Sequence, residues 1–265
     1  MEGTLGFIGA GNMASAILNG ILRTGLLPPD RIHMSNRHAD KLEIPARRGV
    51  LTTVDNKRVA KASDIIILGI KPQMFAEVLP EIAPLLWGKC VVSISPGYSV
   101  VWLQTQLPGA HVVRAMPNTP LLVGKGVTAV AEAPCVPQTL FDAVVEVFSA
   151  AGEVSIVNES MLDAVIAVSG SSPAYFFAMA DAMVKGAGKL GMDAEEALRL
   201  TALTMEGAAK MLLESGGEAG ELKHQVCSPG GTTLAALTAF EEFRFEEMIS
   251  EAMARCVKRS KELGR

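Results

Sequence analysis

The residues with the clearest chemical potential follow the first β-type run of the sequence. Gly9-Ala10-Gly11-Asn12-Met13-Ala14 lies between this apolar run and a helical segment. In such a context Gly9 permits a tight turn, Gly11 lets a pyrophosphate approach the backbone, and Ala14 allows close helix–strand packing. The N–H groups at the helix start would bind the phosphates. The segment predicts a dinucleotide site, and the alternative is a glycine turn that serves packing only.

The residues after the second β-type run bear on which dinucleotide binds. The chain reads Ser35-Asn36-Arg37-His38, without the Asp or Glu that would accept hydrogen bonds from a ribose 2′-hydroxyl. Arg37 can instead hold a 2′-phosphate with two parallel hydrogen bonds. This pattern favours NADP(H), and the alternative is that Arg37 is only a solvated turn charge.

Two later strand ends share the edge that the glycine motif marks. They are Gly69-Ile70-Lys71-Pro72 and Ser93-Ile94-Ser95-Pro96-Gly97. Open α/β sheets bind ligands at the carboxyl ends of their strands. Each segment could be a plain turn, but both are expected at the ligand-binding edge.

A further candidate site lies where one predicted helix stops and another begins, at Ser228-Pro229-Gly230-Gly231-Thr232-Thr233. Small residues at a helix start expose N–H groups that can hold a carboxylate at the positive end of the helix dipole. The same segment supplies two hydroxyls. The alternative is an ordinary helix–helix turn that Ser228 caps, with Pro229 in the first turn.

The elements that must position these residues alternate in the first half between short β-type and helical runs. This alternation is typical of an α/β fold with parallel strands joined by crossover helices. Runs such as Ile65-Ile66-Ile67-Leu68 are apolar throughout, which favours strands covered on both faces of an open, doubly wound sheet. The predicted strands are Thr4–Gly9, Arg31–Ser35, Asp64–Ile70, Lys89–Ser95, Ala110–Ala115 and Gly126–Ala131, with a last short run at Val154–Val157.

The second half is predicted to be all-helical, which divides the chain into Met1–Asn158 and Glu159–Arg265. Ser172 is expected to cap a helix that starts at Pro173 and runs to about Gly191, and Asp193 to cap one that reaches about Ser215. Both helices carry Ala, Met and Gly around most of their circumference, so they should be buried on all sides. We expect two copies to interleave and share a core, and the alternative is a monomeric helical cap.

The amino-acid composition of the chain limits the kinds of function that it can have. The chain has 265 residues, 49% of them hydrophobic, a mean hydropathy of +0.30 and a formal net charge of −4 with scattered Lys and Arg. This balance disfavours nucleic-acid binding and indicates an oligomer. The N-terminus lacks the basic region of a signal peptide and no apolar run approaches a membrane span, so a cytoplasmic protein without a membrane partner is expected. The four Cys and four His are dispersed, so no metal site is expected and the cysteines are interpreted as reduced packing residues.

Four motifs in order resemble the pyrroline-5-carboxylate reductase family over the whole chain. They are Phe7-Ile-Gly-Ala-Gly-Asn-Met13, Arg114-Ala-Met-Pro-Asn-Thr-Pro120, Ser169-Gly-Ser-Ser-Pro-Ala-Tyr175 and the segment from Leu222 to Leu234. The resemblance implies an N-terminal Rossmann domain and a helical domain that dimerises by intertwining, often into rings of dimers. It also implies reduction of 1-pyrroline-5-carboxylate to proline with NADPH or NADH.

The resemblance also assigns residues by position. The expected cofactor residues are Ile8, Gly9, Ala10, Gly11, Asn12 and Met13 for the pyrophosphate, Ser35, Asn36 and Arg37 for the adenine-ribose end, and Asn56, Ile70, Lys71, Pro96 and Gly97 for the rest of the cleft. Substrate contacts are expected at Gly231, Thr232 and Thr233, with Glu159 nearby. The family often has Lys-Asp-Asn or Lys-Asp-x where this chain has Lys223-His224-Gln225, which puts a cofactor contact of Gln225 in doubt. Many members also have Gly at the position of Ser172.

Hydride transfer to a cyclic imine needs few catalytic groups. A protonated imine requires only that the nicotinamide stack on its ring, that its nitrogen be hydrogen-bonded and that its carboxylate be anchored. Thr233 is the predicted catalytic contact to the nitrogen, and a five- or a six-membered ring remains open. Two rival functions remain: an NADP-linked hydroxy-acid dehydrogenase with Lys185 or Lys189 as base, and a redox-sensing protein that binds NADPH without turnover.

Overall fold

The computed structural model describes residues 2–264, which form two compact units. One contains the chain up to Ser171 and again from Arg255, and the other contains Ser172–Ala254. The first unit is an α/β domain and the second is all-helical, as the sequence predicts.

The first unit is built on one eight-stranded sheet of order β3-β2-β1-β4-β5-β6-β7-β8. All neighbouring strands are parallel except β6 and β7, which pair antiparallel. The strands are β1 (Leu5–Ile8), β2 (Ile32–Ser35), β3 (Leu51–Thr53), β4 (Ile65–Leu68), β5 (Cys90–Ser93), β6 (His111–Pro117), β7 (Gly126–Ala131) and β8 (Gly152–Val157).

Helices cover both faces of this sheet, which explains why β1, β4 and β5 are buried throughout. The helices of this unit are α1 (Asn12–Thr24), α2 (Glu43–Arg47), α3 (Asn56–Ala62), α4 (Phe75–Ile82), α5 (Val100–Gln106), α6 (Gln138–Ser149) and α7 (Leu162–Val165). One apolar cluster packs α1 and α6 on one face of the sheet, and a second packs α3, α4 and α5 on the other.

One strand, β3, was not predicted from the sequence. Its three residues lie at the edge of the sheet and are exposed or half-buried, so they lack the apolar run that identified the other strands. Tertiary pairing with β2, through His33–Leu51 to Ser35–Thr53, decides their conformation.

The division between the units differs from the boundary predicted after Asn158. Leu162 and Ile166 are buried against β6 and β7, and Cys256 packs on the same cluster. The Ser260 hydroxyl donates to Asp163 Oδ1 at 2.7 Å. These contacts join residues 159–171 and the end of the chain to the α/β unit. The domain limits Met1–Asn158 and Glu159–Arg265 stay a prediction.

The all-helical unit contains α8 (Ser172–Lys189), α9 (Ala194–Glu214), α10 (Ala219–Gln225), α11 (Thr232–Glu242) and the first half of α12 (Phe245–Leu263). The predicted Asp193 cap is confirmed, since Oδ1 accepts from the N–H groups of Glu195 and Glu196. The predicted Ser172 cap is wrong. Ser172 is already helical, because a π-helical turn at Ile166–Gly170 brings α7 directly into it.

The helical stretch Glu159–Lys189 is long and apolar enough, by length and composition, to cross a membrane, although only 22% of its most apolar window is buried. No membrane span was predicted from the sequence, because that prediction depended on finding a long uninterrupted apolar run. In Glu159–Lys189 the apolar residues are interspersed with Ala, Gly and few charged residues, so the mean hydropathy is high although no long uninterrupted apolar run is present. Large side chains exposed in the helical unit of the single chain include Phe176, Phe177, Met183, Leu203, Leu213 and Phe243.

Candidate functional site

The predicted cofactor residues of the α/β unit come together at one edge of the sheet. Residues Ile8, Ser35, Leu68 and Ser93 end four neighbouring strands and are paired in register. The segments that follow them therefore emerge side by side at the carboxyl edge. This is where the strand order reverses, which is the usual ligand position in such sheets.

The glycine turn at this edge has the geometry that the motif predicts. Gly9 has φ +103°, and an added Cβ would lie 2.5 Å from the Gly69 carbonyl oxygen. Its N–H donates to the Ser35 carbonyl at 2.9 Å, and the Gly69 N–H donates to the Ile8 carbonyl at 2.8 Å. Only glycine fits a left-handed position with so little space.

Gly11 differs, because the protein itself leaves room beside it. An added Cβ would find only the Gly69 carbonyl oxygen, 4.0 Å away. Gly11 is exposed and precedes α1 as its N-cap, without a side-chain cap. A residue without a Cβ at an open helix start is what the backbone approach of a pyrophosphate requires. The site therefore fits a dinucleotide.

The end of β2 assigns different roles to neighbouring residues. Ser35 is fully buried, and its hydroxyl lies 2.8 Å from Asn56 Oδ1 and 3.4 Å from the Phe7 carbonyl. It therefore supports Asn56 at the start of α3 and is not free to contact a phosphate directly. Arg37 is exposed, and its Nε donates to His38 Nε2 at 3.2 Å.

Two more predicted cofactor segments are linked to each other. The Ser95 hydroxyl donates to the Ile70 carbonyl at 2.8 Å, so the turns after β4 and β5 are joined. Gly97 has φ +96° and packs against Gly264. Lys71 is exposed at the same edge, and Pro96 is half-buried.

Two motifs of the family resemblance, which begin at Arg114 and Ser169, are joined by a hydrogen bond. Asn118 Nδ2 donates to the Ser169 carbonyl at 3.2 Å, and Asn118 Oδ1 accepts from Val127 N–H at 2.9 Å. Glu159, predicted near the substrate, contacts Arg114 and the Val100 N–H. No role was predicted for Arg114, Asn118 or Ser95. Asn118 and Ser95 each adjoin a proline of their segment, and Arg114 begins its motif, which was the available signal.

The predicted substrate turn lies in the helical unit. Gly230 has φ +71°, Gly231 is the N-cap of α11, and Thr232 and Thr233 are its first two residues. The cap by Ser228, which belonged to the alternative interpretation of this segment, is not formed, since no side chain caps α11. Instead the Ser228 carbonyl accepts the Gly231 N–H at 2.9 Å.

The geometry of this turn determines which backbone N–H groups are available to bind a carboxylate. The Gly231 N–H is used within the turn, whereas Thr232, Thr233 and Leu234 begin the helix and have no intrahelical acceptor. No hydrogen bond from these three N–H groups is made within residues 2–264. Thr233 is half-buried and carries a hydroxyl at the same helix start. A carboxylate and a neighbouring polar atom would fit this helix start.

Lys89 and Cys90, two titratable groups with shifted pKa values, lie away from the ligand edge. Cys90 begins β5 at the opposite edge, and burial raises the pKa of its thiol to about 12. Burial also lowers the pKa of Lys89, while Asp64 raises it; Lys89 Nζ donates to the carbonyls of Ala60, Lys61 and Ser63 at the end of α3.

The cysteines and Lys185 have surroundings that bear on the interpretation of the sequence. All four cysteines are free, but Cys135 is exposed and is therefore not the packing residue expected. Among the described residues no His, Cys, Asp and Glu cluster could hold a metal. Lys185, the base that a hydroxy-acid dehydrogenase would need, is 71% exposed and paired with Asp181 at 2.5 Å.

Comparisons with known proteins agree along the whole chain. The family description "Pyrroline-5-carboxylate reductase dimerisation" matches residues 159–263, and "NADP oxidoreductase coenzyme F420-dependent" matches residues 4–97. A pyrroline-5-carboxylate reductase of Methanosarcina acetivorans is 39% identical over 264 residues, which is 98% of each chain.

Solved structures give the same result. The pyrroline-5-carboxylate reductase of Coxiella burnetii superposes with a TM-score of 0.90 at 35% identity and covers 99% of each chain. The pyrroline carboxylate reductase of Plasmodium falciparum, solved with NADP bound, has a TM-score of 0.92 at 28% identity and covers 100% of this chain and 99% of its own.

Proposed function

This chain belongs to the pyrroline-5-carboxylate reductase family, and we infer that it reduces 1-pyrroline-5-carboxylate to L-proline with NADPH, the last step of proline synthesis. The observation that carries this inference is the coexistence, in one family member, of an open dinucleotide turn and a separate helix start with free N–H groups and a threonine hydroxyl. The first suits the cofactor and the second suits a small imino acid.

The cofactor residues are proposed from the sheet edge. The turn from Ile8 to Met13 would hold the pyrophosphate, Asn36 and Arg37 the 2′-phosphate end, and Lys71, Pro96 and Gly97 the remainder. Ser35 would contribute to cofactor binding indirectly, because its hydroxyl holds Asn56 in position. When bound, NADPH supplies the hydride that adds to the imine carbon. Arg37 presents two guanidinium nitrogens that His38 does not occupy, which suits a bidentate phosphate contact.

The substrate residues are proposed from the start of α11. The N–H groups of Thr232, Thr233 and Leu234 would hold the carboxylate, and Gly231 leaves the approach free of a side chain. The Thr233 hydroxyl would donate to the ring nitrogen or order the proton that reaches it. The nitrogen lies two bonds from the carboxylate carbon, so one turn can bind both groups.

The exposed helices support a homodimer. In the single chain Phe176 and Phe177 are 51% and 69% exposed on a helix with few charges. Apolar surface of this extent is rarely left in contact with water. The helix lies within residues 159–263, which match the family model named for dimerisation. A second copy would bury these side chains. A ring of dimers, a cytoplasmic location and independence from membranes and nucleic acid stay predictions.

The decisive experiment measures the decrease in NADPH absorbance with pyrroline-5-carboxylate and, separately, with its six-membered homologue. Proline formed from the five-membered imine in proportion to the NADPH oxidised is the expected result. Binding of NADPH without oxidation in the presence of either imine would instead favour the redox-sensing alternative.

A further inference from the structure

The turn between β5 and α5 is one of the predicted cofactor segments, and it is held from several sides. It begins after Ser93, which is paired in register with Arg114 on β6. It ends at Val100, the first residue of α5. Pro96 and Gly97 lie between these two points, so whatever fixes Arg114 and Val100 fixes the turn.

A single carboxylate oxygen contacts the last residue of this turn and the β6 residue that pairs with Ser93. Glu159 Oε1 accepts the Val100 N–H at 2.7 Å and pairs with Arg114 Nη1 at 3.0 Å. The Val100 N–H is one of the helix-start donors that have no intrahelical acceptor. Both interactions are charge-assisted, which makes them stronger and more directional than neutral hydrogen bonds.

The buried guanidinium of Arg114 depends on Glu159 for its counter-charge. Its side chain is 7% exposed, and its Nε has no hydrogen-bond partner among the described residues. Glu159 is the only acidic side chain with which Arg114 forms an ion pair within residues 2–264. A buried guanidinium that loses its counter-charge is strongly unfavourable, so removal of Glu159 should displace Arg114 and the strand end opposite Ser93.

We propose that Glu159 is a positioning residue for the nicotinamide cofactor, acting through Val100 and Arg114 on the Pro96–Gly97 turn. This role replaces the substrate contact predicted for Glu159. It rests on the proposed function in one respect, namely that this turn binds NADPH. The Oε1 atom of Glu159 is already engaged by two donors of the α/β unit, the Val100 N–H and Arg114 Nη1.

The test compares NADPH binding with imine binding. Glu159→Ala should raise the dissociation constant of NADPH, measured by fluorescence titration, about tenfold, while the KM of the imine at saturating NADPH changes less than about twofold. Glu159→Gln keeps an oxygen that can accept the Val100 N–H, so it should lose less NADPH affinity than the alanine variant. A raised imine KM with unchanged NADPH affinity would overturn the proposal.

Two controls separate positioning from general destabilisation. Val144→Ala removes buried side-chain volume from α6, distant in sequence from the turn, and should lower Tm without changing NADPH affinity. Equal losses of NADPH affinity in Val144→Ala and Glu159→Ala would count against a positioning role. Arg114→Met combined with Glu159→Gln should regain part of the Tm lost by Glu159→Gln alone, because no unpaired buried charge remains.

The outcome is distinguishable from failure of the proposed function. NADPH titration of the wild-type chain does not depend on the imine chosen, so binding can be measured even if the substrate is another small imine. A wild-type chain that binds NADPH, with Glu159 variants that bind it equally well, would contradict the positioning role alone.

Discussion

At the residue scale, Arg37 is expected to set the preference for NADPH. Its guanidinium is exposed at the end of β2, with Nε directed to His38 and no acid at the strand tip. Arg37→Ala should weaken NADPH by about 1.5–3 kcal/mol and NADH by much less, as measured by the KM of each cofactor. Arg47→Ala removes another exposed arginine of this unit and should leave the ratio unchanged. Equal losses for both cofactors would contradict the assignment.

Thr233 is expected to act on the substrate nitrogen. Thr233→Ala should lower kcat/KM about tenfold if the hydroxyl only donates a neutral hydrogen bond, and by about 10²–10⁴ if it relays the proton. Thr233→Ser restores the hydroxyl and should recover most of the activity. NADPH affinity should not change, because the predicted phosphate contacts lie in the other unit.

Thr238→Ala is the matched control for Thr233. Thr238 lies on the same helix, and its hydroxyl donates to the Ala235 carbonyl at 2.7 Å within that helix. Its loss should leave kcat/KM near the wild-type value. If the Thr233→Ala variant behaves in the same way, Thr233 is only a helix-start residue.

Cys90 makes a pH-dependent contribution to stability. Its pKa rises from the ordinary value of 9.0 to about 12 in the folded chain, because burial disfavours the thiolate. The contribution is fully present below pH 9 and is lost as the pH rises towards 12, since the unfolded chain ionises first. Within this window, each unit by which the pH rises should lower the free energy of unfolding by up to about 1.4 kcal/mol.

The measurement compares the wild-type chain with Cys90→Val by denaturant unfolding at pH 8 and pH 10. The wild-type free energy of unfolding should fall more than that of the valine variant. The buried thiol should also resist alkylation, whereas the exposed Cys135 reacts. Parallel pH dependence in the two proteins would contradict the raised pKa.

At the element scale, the turn after β5 depends on a glycine with a positive φ. Gly97 has φ +96°, and an added Cβ would lie 2.6 Å from the Gly264 nitrogen. Gly97→Ala should destabilise the fold by roughly 2–5 kcal/mol, from left-handed strain and from displacement of the chain end, and should weaken NADPH binding.

Gly25→Ala is the matched control for this turn. Gly25 has φ +70° at the end of α1, but nothing lies within 4 Å of its added Cβ. This variant should show only the conformational cost of about 1–2 kcal/mol and bind NADPH normally. The difference in Tm between the two variants measures the contact with Gly264. Equal Tm values would show that this contact does not matter.

At the scale of the whole molecule, the chain is expected to be a dimer. Phe177→Glu places a charge on an exposed apolar face of α8 and should weaken self-association at least about thirtyfold, as measured by sedimentation. Ile44→Glu changes a side chain of the α/β unit that is 70% exposed and should leave the assembly intact. A wild-type chain that sediments as a fully active monomer would contradict the dimer.

The sequence by itself determined much of this molecule, because local patterns carry the information. Continuous apolar runs specified the buried strands, Gly9 specified a turn that other residues cannot form, and Asp193 specified a helix start. The absence of an acid after β2 indicated the NADP(H) preference. Each of these features depends on side chains within a few residues of one another.

Tertiary structure decided the features that depend on distant partners. β3 exists because β2 offers it a pairing edge, and Ser35 is turned inward because Phe7 and Asn56 lie beside it. Glu159 follows the last strand, yet its carboxylate meets Val100, 59 residues earlier. No local pattern encodes such a contact, because the energy of a buried guanidinium and its half-buried carboxylate partner depends on which groups folding brings within about 3 Å of them.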